Sequence, residues 1–419
     1  MNTRLLVPIA RRFLFVVLIA LTALASAPRA HAATVTVSDC SAPSGAAGRL
    51  AEVVAGAAAG DTVTFSCSGT ITLTATITID KNLTLDGTGQ SVTISGGDIV
   101  RVFIVNAGVT FNLQNLSVTH GTAPGSGNNG GGVKNSGTLN VTNVTFSGNS
   151  AGYYGAGIYS TGTLNVTNVT FSGNSSGAGG GGISSTGTLN VTNSTFSGND
   201  GGTNGGGIYN GFGTSTVMNS AFSGNSAAMG GGISNWYGTL TVTNSTFSGN
   251  TASYGGGIYS TGTLNATNST FSGNSAVFEG GGIYNYSGAT MNVKNSIVAN
   301  APAGGNCIGT ITDGGGNLQF GGTVADSCGA AIPTGDPKLS ALADNGGSTQ
   351  TMALGAGSAA VDAAVYATCM AAVGSPNYGA GGLDQRGQPR TSVSSVCDIG
   401  AFEQQAGDIT RLFLPLIVR

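Results

Sequence analysis

The chain has 419 residues, 73 of them glycine and only 7% charged; glycine at more than twice its usual share of about 7% is not the composition of an ordinary globular enzyme. Ten prolines without an every-third-residue glycine period exclude collagen, and 40% hydrophobic residues with a formal net charge of −3 argue against wholesale disorder. Outside the leader described next, His120 is the sole histidine, which leaves no basis for multi-histidine zinc sites or histidine-dependent triads.

Residues 1–32 read as a signal peptide. Arg4, Arg11 and Arg12 precede the apolar run Phe13 to Ala25, and Ala30-His31-Ala32 offers a small-residue cleavage site. The run is shorter than the roughly 18 residues that a spanning helix needs, so the mature chain is expected to lack a transmembrane helix. Removing the leader takes away four of the fourteen Lys+Arg and none of the seventeen Asp+Glu, leaving a formal charge of −7. No basic footprint for nucleic acid remains. Within residues 33–68, Leu50, Val53, Val54 and Ala57 follow the spacing of a short amphipathic helix. The six cysteines, Cys40, Cys67, Cys307, Cys328, Cys369 and Cys397, form three sequence-local couples. In an exported chain an even count reads as disulfides. A long rod keeps distant segments apart, so Cys40–Cys67, Cys307–Cys328 and Cys369–Cys397 are the expected pairs.

Residues 69–335 are dominated by repetition, most regular over about 130–300. Phe146, Phe171, Phe196, Phe222, Phe247 and Phe271 recur at steps of 24 to 26 residues, as do Val133, Ile158, Ile183, Ile208, Ile233, Ile258 and Ile283. A unit near 25 residues without helical periodicity is too short for a helix-pair repeat. In Thr163-Leu164-Asn165-Val166-Thr167 the alternation puts Leu164 and Val166 on one face. Ile158 and Phe171 supply inward residues for two further stretches. One unit cannot hide its own apolar side, whereas units stacked about 4.8 Å apart close a core and pair every strand with the coils above and below. This is a parallel β-helix. Two asparagine columns, Asn143 to Asn295 and Asn149 to Asn274, suit turns and hydrogen-bonded ladders; the Asn-x-Ser/Thr triplets of the first follow from a turn asparagine preceding β-forming residues. An uncapped end would expose unpaired backbone, so the short helix is expected to cover the first coil and residues 336–403 to form the opposite cap.

Chemistry is sparse along the wall. Between Arg101 and Asp313 the charged residues are Lys134, Asp200, Glu279 and Lys294. Asp200 and Glu279 fall in loops three coils apart, roughly 14 Å at the strand spacing, beyond the about 5–9.5 Å that glycoside hydrolysis requires. No carboxylate cluster suggests a calcium-assisted lyase; Asp313 and Asn317 match no calcium-loop spacing, and His120 has no partner in its coil. No catalytic residue, metal or cofactor is therefore expected. Asp384, Arg386, Arg390, Asp398 and Glu403 cluster instead in the presumed cap, where charge-assisted hydrogen bonds would hold an irregular segment together. What the wall offers is aromatic. The position after the isoleucine column reads Tyr159, Ser184, Tyr209, Ser234, Tyr259 and Tyr284, and Tyr153, Tyr154, Trp236, Tyr237, Tyr254, Phe278 and Tyr286 lie nearby. Tyr159, Tyr209, Trp236, Tyr237, Tyr259, Tyr284 and Tyr286 are the candidate ligand surface, against the plainer reading that tyrosine suits an exposed strand. Rows such as Thr163, Asn165, Thr167 and Thr239, Thr241, Thr243 resemble the faces of ice-binding β-helices.

Phe-Ser-Gly-Asn alternating with Gly-Gly-Gly-Ile resembles the FxxN and GGAI repeats of bacterial polymorphic outer-membrane proteins, over roughly residues 130–300. Asp336-Pro337, Asp344-Asn345-Gly346-Gly347, Asp384-Gln385-Arg386-Gly387-Gln388-Pro389-Arg390 and Cys397-Asp398-Ile399-Gly400-Ala401-Phe402-Glu403 are similar to the choice-of-anchor Q domain. The resemblance implies a right-handed helix followed by a surface-sorting tail, here within 404–419, where Arg411 and Arg419 frame an apolar string that could equally be a last strand. The membrane barrel of the outer-membrane relatives is not expected. The reading is an all-β protein, a right-handed parallel β-helix with a short N-terminal capping helix and an irregular C-terminal cap. It would be secreted or envelope-associated, monomeric and non-enzymatic, with a glycan or surface protein as partner; a polysaccharide lyase or glycoside hydrolase, and less so an ice-binding protein, are the alternatives.

Overall fold

A computed structural model describes residues 32–41, 49–125, 127–321, 328–372, 379–390 and 395–405. The leader and most of the tail lie outside them. Within them the chain winds as a parallel β-solenoid with two short helices, α1 (Leu50–Gly56) and α2 (Tyr366–Met370). A representative coil contains the strands Ile158–Ser160, Thr163–Thr167, Thr170–Ser172 and Ser175–Ser176. Each pairs in parallel with its copy one coil on, so that Ile158 faces Ile183, Leu164 faces Leu189 and Phe171 faces Phe196. The isoleucine strands make a ten-stranded sheet running from Ile77–Ile79 to Cys307–Ile308.

The alternation in sequence becomes the inside and outside of the wall. Leu164 and Val166 are buried while Thr163, Asn165 and Thr167 face outward. Inside, the phenylalanine rings from Phe146 to Phe271 stack at centroid distances of 4.6–5.0 Å, with the planes of Phe196 and Phe222 parallel. The glycine ahead of each isoleucine is needed for this packing. A Cβ on Gly182 would lie 2.9 Å from Cδ1 of Phe196 and 2.7 Å from the Gly207 carbonyl oxygen.

The two asparagine columns divide the roles that the sequence suggested for both. Asn115, Asn143, Asn168, Asn193, Asn219, Asn244, Asn268 and Asn295 hold φ of 45° to 59° and turn the corner between the long strand and the phenylalanine strand, a left-handed conformation that asparagine tolerates better than other residues with a Cβ. The second column makes the ladder. Nδ2 of Asn149, Asn174, Asn199, Asn225 and Asn250 donates to Oδ1 of its copy in the next coil at 2.8–2.9 Å. The other Nδ2 hydrogen of Asn199 reaches the Phe171 carbonyl at 3.0 Å, and its backbone N–H donates to Asn225 Oδ1 at 3.0 Å. The buried amides of this second column are thereby satisfied from rung to rung.

All three disulfides pair as expected, Cys40–Cys67, Cys307–Cys328 and Cys369–Cys397. Helix α1 buries Leu50 and Val54, and the residue after it, Ala57, joins them in the core cluster at the first coil. The irregular C-terminal part does two things. Residues 328–335 close the last coil, where Gln319 replaces an apolar core residue, donating from Nε2 to the Ile332 and Gly329 carbonyls at 2.7 and 3.0 Å. The described residues of 336–405 then return along the outside of the rod rather than over its end. Thr349 Oγ1 donates to the Asn219 carbonyl at 3.0 Å, Asn244 Nδ2 to the Leu383 carbonyl at 2.9 Å, and the backbone of Gly400 to the Asn295 carbonyl at 2.9 Å. Ile297 and Ala299 occupy outward positions that carry Thr and Ser in earlier coils, and join Leu318, Leu354, Ala360, Ile399 and Phe402 in a second apolar cluster beneath this segment.

Phe196→Ala should lower the unfolding free energy by about 3–5 kcal/mol, the usual result of removing a buried ring. Denaturant melts of the two proteins measure this, and an unchanged midpoint would contradict the stacked column.

Candidate functional site

One side chain per coil points out from the ten-stranded sheet, giving an in-register row of Lys134, Tyr159, Ser184, Tyr209, Ser234, Tyr259 and Tyr284. The expectation that all of these tyrosines are displayed needs correction at two positions, since Tyr209 and Tyr259 retain only 8% and 6% of their exposure. Neighbouring rings cover them. Tyr154 stacks on Tyr209 at 5.3 Å and approaches Tyr159 at 6.5 Å, while Tyr284 stacks on Tyr259 at 5.2 Å. Burial pushes the phenol pKa of Tyr154 well above its ordinary value and that of Tyr259 up to about 12, so these phenols remain protonated and are poor bases near neutrality.

The exposed rings sit on either side of this row. Tyr153 precedes it; Tyr254 and Phe278 pack at 5.1 Å, and Tyr254 meets Tyr284 edge-on. In the turns that follow the sheet, Phe212 and Tyr237 are 69% and 62% exposed and stack on each other at 5.7 Å with 17° between planes. Trp236 meets Tyr237 edge-on at 5.5 Å. Phe212 and Tyr237 both adopt left-handed backbone, with φ of 64° and 53°, which for bulky residues costs of order 1–3 kcal/mol each. Phe212 was not among the sequence candidates. Its signal was an extra residue in the turn, Gly211-Phe212 where the coil at Ser160 has Thr161 alone. Tyr286, 50% exposed, borders a groove of about 470 Å³ lined by Glu279, Tyr284, Gly288, Ile308 and Thr310.

The wall carboxylates stay apart. Asp200 bridges to Ser226, whose column continues through Thr251 to Ser275, whereas Glu279 pairs with Tyr254. Three rungs, roughly 14 Å, separate their coils, and Asp200 Oδ1 accepts the Gly202 N–H at 3.0 Å as a turn residue. Asp313 Oδ1 likewise accepts from Gly315 N and Asn317 Nδ2 within its own loop. The threonine rows do not form an open plane. Met218 and Lys294 interrupt one row, and Thr243 and Thr267 are buried.

The C-terminal charges form a closed network under the returning segment. Asp384 Oδ2 accepts from Arg386 Nε at 2.8 Å, and Arg386 lies 3.7 Å from the centroid of the Phe402 ring. Arg390, fully buried, donates to the carbonyls of Leu383, Asp398 and Gly400, to Asn244 Oδ1, and to Glu403 Oε2 at 3.5 Å. Burial, with Asp398 nearby, pushes the Glu403 carboxyl up to about 8; burial also raises Asp398 and lowers the Arg390 guanidinium. These side chains are inaccessible to a ligand and fasten the segment to the wall.

Residues 129–301 match the family described as the right handed beta helix region. The fold is thus a right-handed parallel β-helix, and the matched span takes in the regular coils and the exposed rings. No curated protein and no solved structure matches the chain. Among the described residues no helix is long and apolar enough to cross a membrane.

Because Glu403 binds its proton more tightly when folded, its stabilising contribution is fully present below the ordinary carboxylate pKa and is lost as pH rises through about 8. The melting midpoint should therefore fall between about pH 5 and about pH 9. Glu403→Gln, which removes the titrating charge, should flatten that slope in thermal melts across the same range.

Proposed function

We propose that the chain is an exported, surface-associated, non-enzymatic β-helix rod that holds a glycan or a surface protein on its aromatic side. One observation carries the reading: among the described residues the exposed aromatic side chains Tyr153, Phe212, Tyr237, Phe278 and Tyr286 all flank the ten-stranded sheet, whereas the long strands present Thr and Asn. Exposed rings concentrated on one side of a wall otherwise made of small polar groups suit a contact surface. Three disulfides fit an oxidising compartment. The leader sequence and the likeness of residues 336–403 to the choice-of-anchor Q domain support export and retention at the surface, with residues 404–419 as the sorting signal. The likeness of the coils to polymorphic outer-membrane protein repeats supports adhesion. Separation of Asp200 from Glu279 argues against hydrolysis, and the interrupted threonine rows argue against ice binding.

The purified protein should bind on a glycan array or to cells, and should release no reducing sugar from acidic or neutral polysaccharides. Depolymerisation that disappears on Asp200→Asn or Glu279→Gln would overturn the non-enzymatic reading. Deleting residues 411–419 should move the protein from the cell envelope to the medium with the melting midpoint unchanged, a result that fractionation and a melt of the truncated protein decide together.

A further inference from the structure

We propose that Phe212, Trp236 and Tyr237 form a stacking seat for a neutral linear polysaccharide lying lengthwise along the rod in the direction of Tyr286. The proposal rests on the glycan form of the reading above and specifies its site and ligand class.

Turn length is the first observation. After the ten-stranded sheet, most regular coils reach the next strand through one small residue and a glycine, as in Ser136-Gly137, Thr161-Gly162, Thr186-Gly187 and Thr261-Gly262. The coils at Asn210 and Asn235 insert one residue more, and the residue placed in left-handed backbone is Phe212 in one and Tyr237 in the other. A turn that needed only the extra length would favour glycine or asparagine there. Burial of the rings does not offset the strain, because both project into solvent. Neither the turn nor the core calls for an aromatic residue, and the contact that the two rings make with each other still leaves them 69% and 62% exposed, with most of each ring open to something outside the chain.

The second observation is the shape of the display. The two rings lie nearly parallel on adjacent rungs, and the turn residues beyond them, Thr186 and Thr261, are too short to cover a ring face. Tyr286 stands two coils after Tyr237, about 9.6 Å at the strand spacing. An extended chain of sugars laid lengthwise can cover that interval. Outward hydroxyls of Thr214, Thr239 and Thr263 run alongside in the adjoining strands.

Charge sets the ligand class. Lys134, Asp200, Glu279 and Lys294 are the charged residues between Arg101 and Asp313, and none stands in these turns. A polyanion would find no cation beside the seat. A protein anchor would need a recess for its side chain, whereas Phe212 and Tyr237 form a ridge.

Trp236 is the single tryptophan of the chain, so its fluorescence reports on this seat alone. The full chain would be titrated with cello-, manno- and xylo-oligosaccharides and with polygalacturonate, and run through native gels containing the parent polymers. Binding to at least one neutral polymer, with a shift in Trp236 emission, is expected. The double variant Phe212→Asn, Tyr237→Asn should bind about tenfold or more weakly, on the scale of lost aromatic anchors, with an equal or higher melting midpoint because asparagine suits the same backbone. A variant with Gly211-Phe212 replaced by a single Thr, restoring the shorter turn, should behave likewise. Undiminished neutral-glycan binding by both variants would overturn the seat and leave the broader glycan reading standing. Binding to polygalacturonate alone, or self-association or protein capture that the double variant abolishes, would overturn the ligand class. Failure of the wild-type chain to bind any polysaccharide would overturn both.

Discussion

Parallel pairing of each strand with its own copy one coil away is the constraint on which everything else in this molecule depends. At a spacing near 4.8 Å, any residue type placed in a column meets itself, and only residues that tolerate self-contact can fill it. Phenylalanine stacks, asparagine donates and accepts through one amide, and isoleucine and leucine pack. A column of like charges would repel along the whole rod. The 7% charged composition follows from that geometry, and so does the separation of Asp200 from Glu279 along the wall.

The same constraint explains how much could be read from the sequence. Columns repeat, so the inward faces of Leu164, Val166, Phe171 and Ile158, the coil length and the local disulfides were all legible. Features that break the columns were harder to see. Tyr209 and Tyr259 looked displayed because their column faces outward, but Tyr154 and Tyr284 cover them, and side-chain direction across neighbouring coils is not encoded in spacing. The one-residue extension that presents Phe212 was written in the sequence as Gly211-Phe212, yet a shift of one in a 25-residue period is easily absorbed as variation. The return of the C-terminal segment along the wall had a signal too: Ile297 and Ala299 replace hydroxyl residues at outward positions, which an isolated wall would have no reason to do.

That returning segment also places the charges. Asp384, Arg386, Arg390, Asp398 and Glu403 lie outside the repeating columns, where a carboxylate can meet a guanidinium instead of its own copy. Three carboxyls face two guanidiniums, burial pushes the Glu403 carboxyl up to about 8, and the remaining donors of Arg390 reach backbone carbonyls and Asn244. Buried ion pairs contribute little to stability unless every group is satisfied; here they give a segment with few regular backbone pairings one defined seat on the rod.

The position of that segment has a mechanical consequence. In a bare solenoid, tension on the last coil would peel rungs away one at a time, each step opposed by a single row of hydrogen bonds. Here a pull at Gln405 enters a segment fastened at Asn219, Asn244, Thr246, Thr270 and Asn295 and tied internally by Cys369–Cys397. The load is shared as shear over several coils before any one of them is asked to open, so a rod held by its C-terminus would resist drag as a unit.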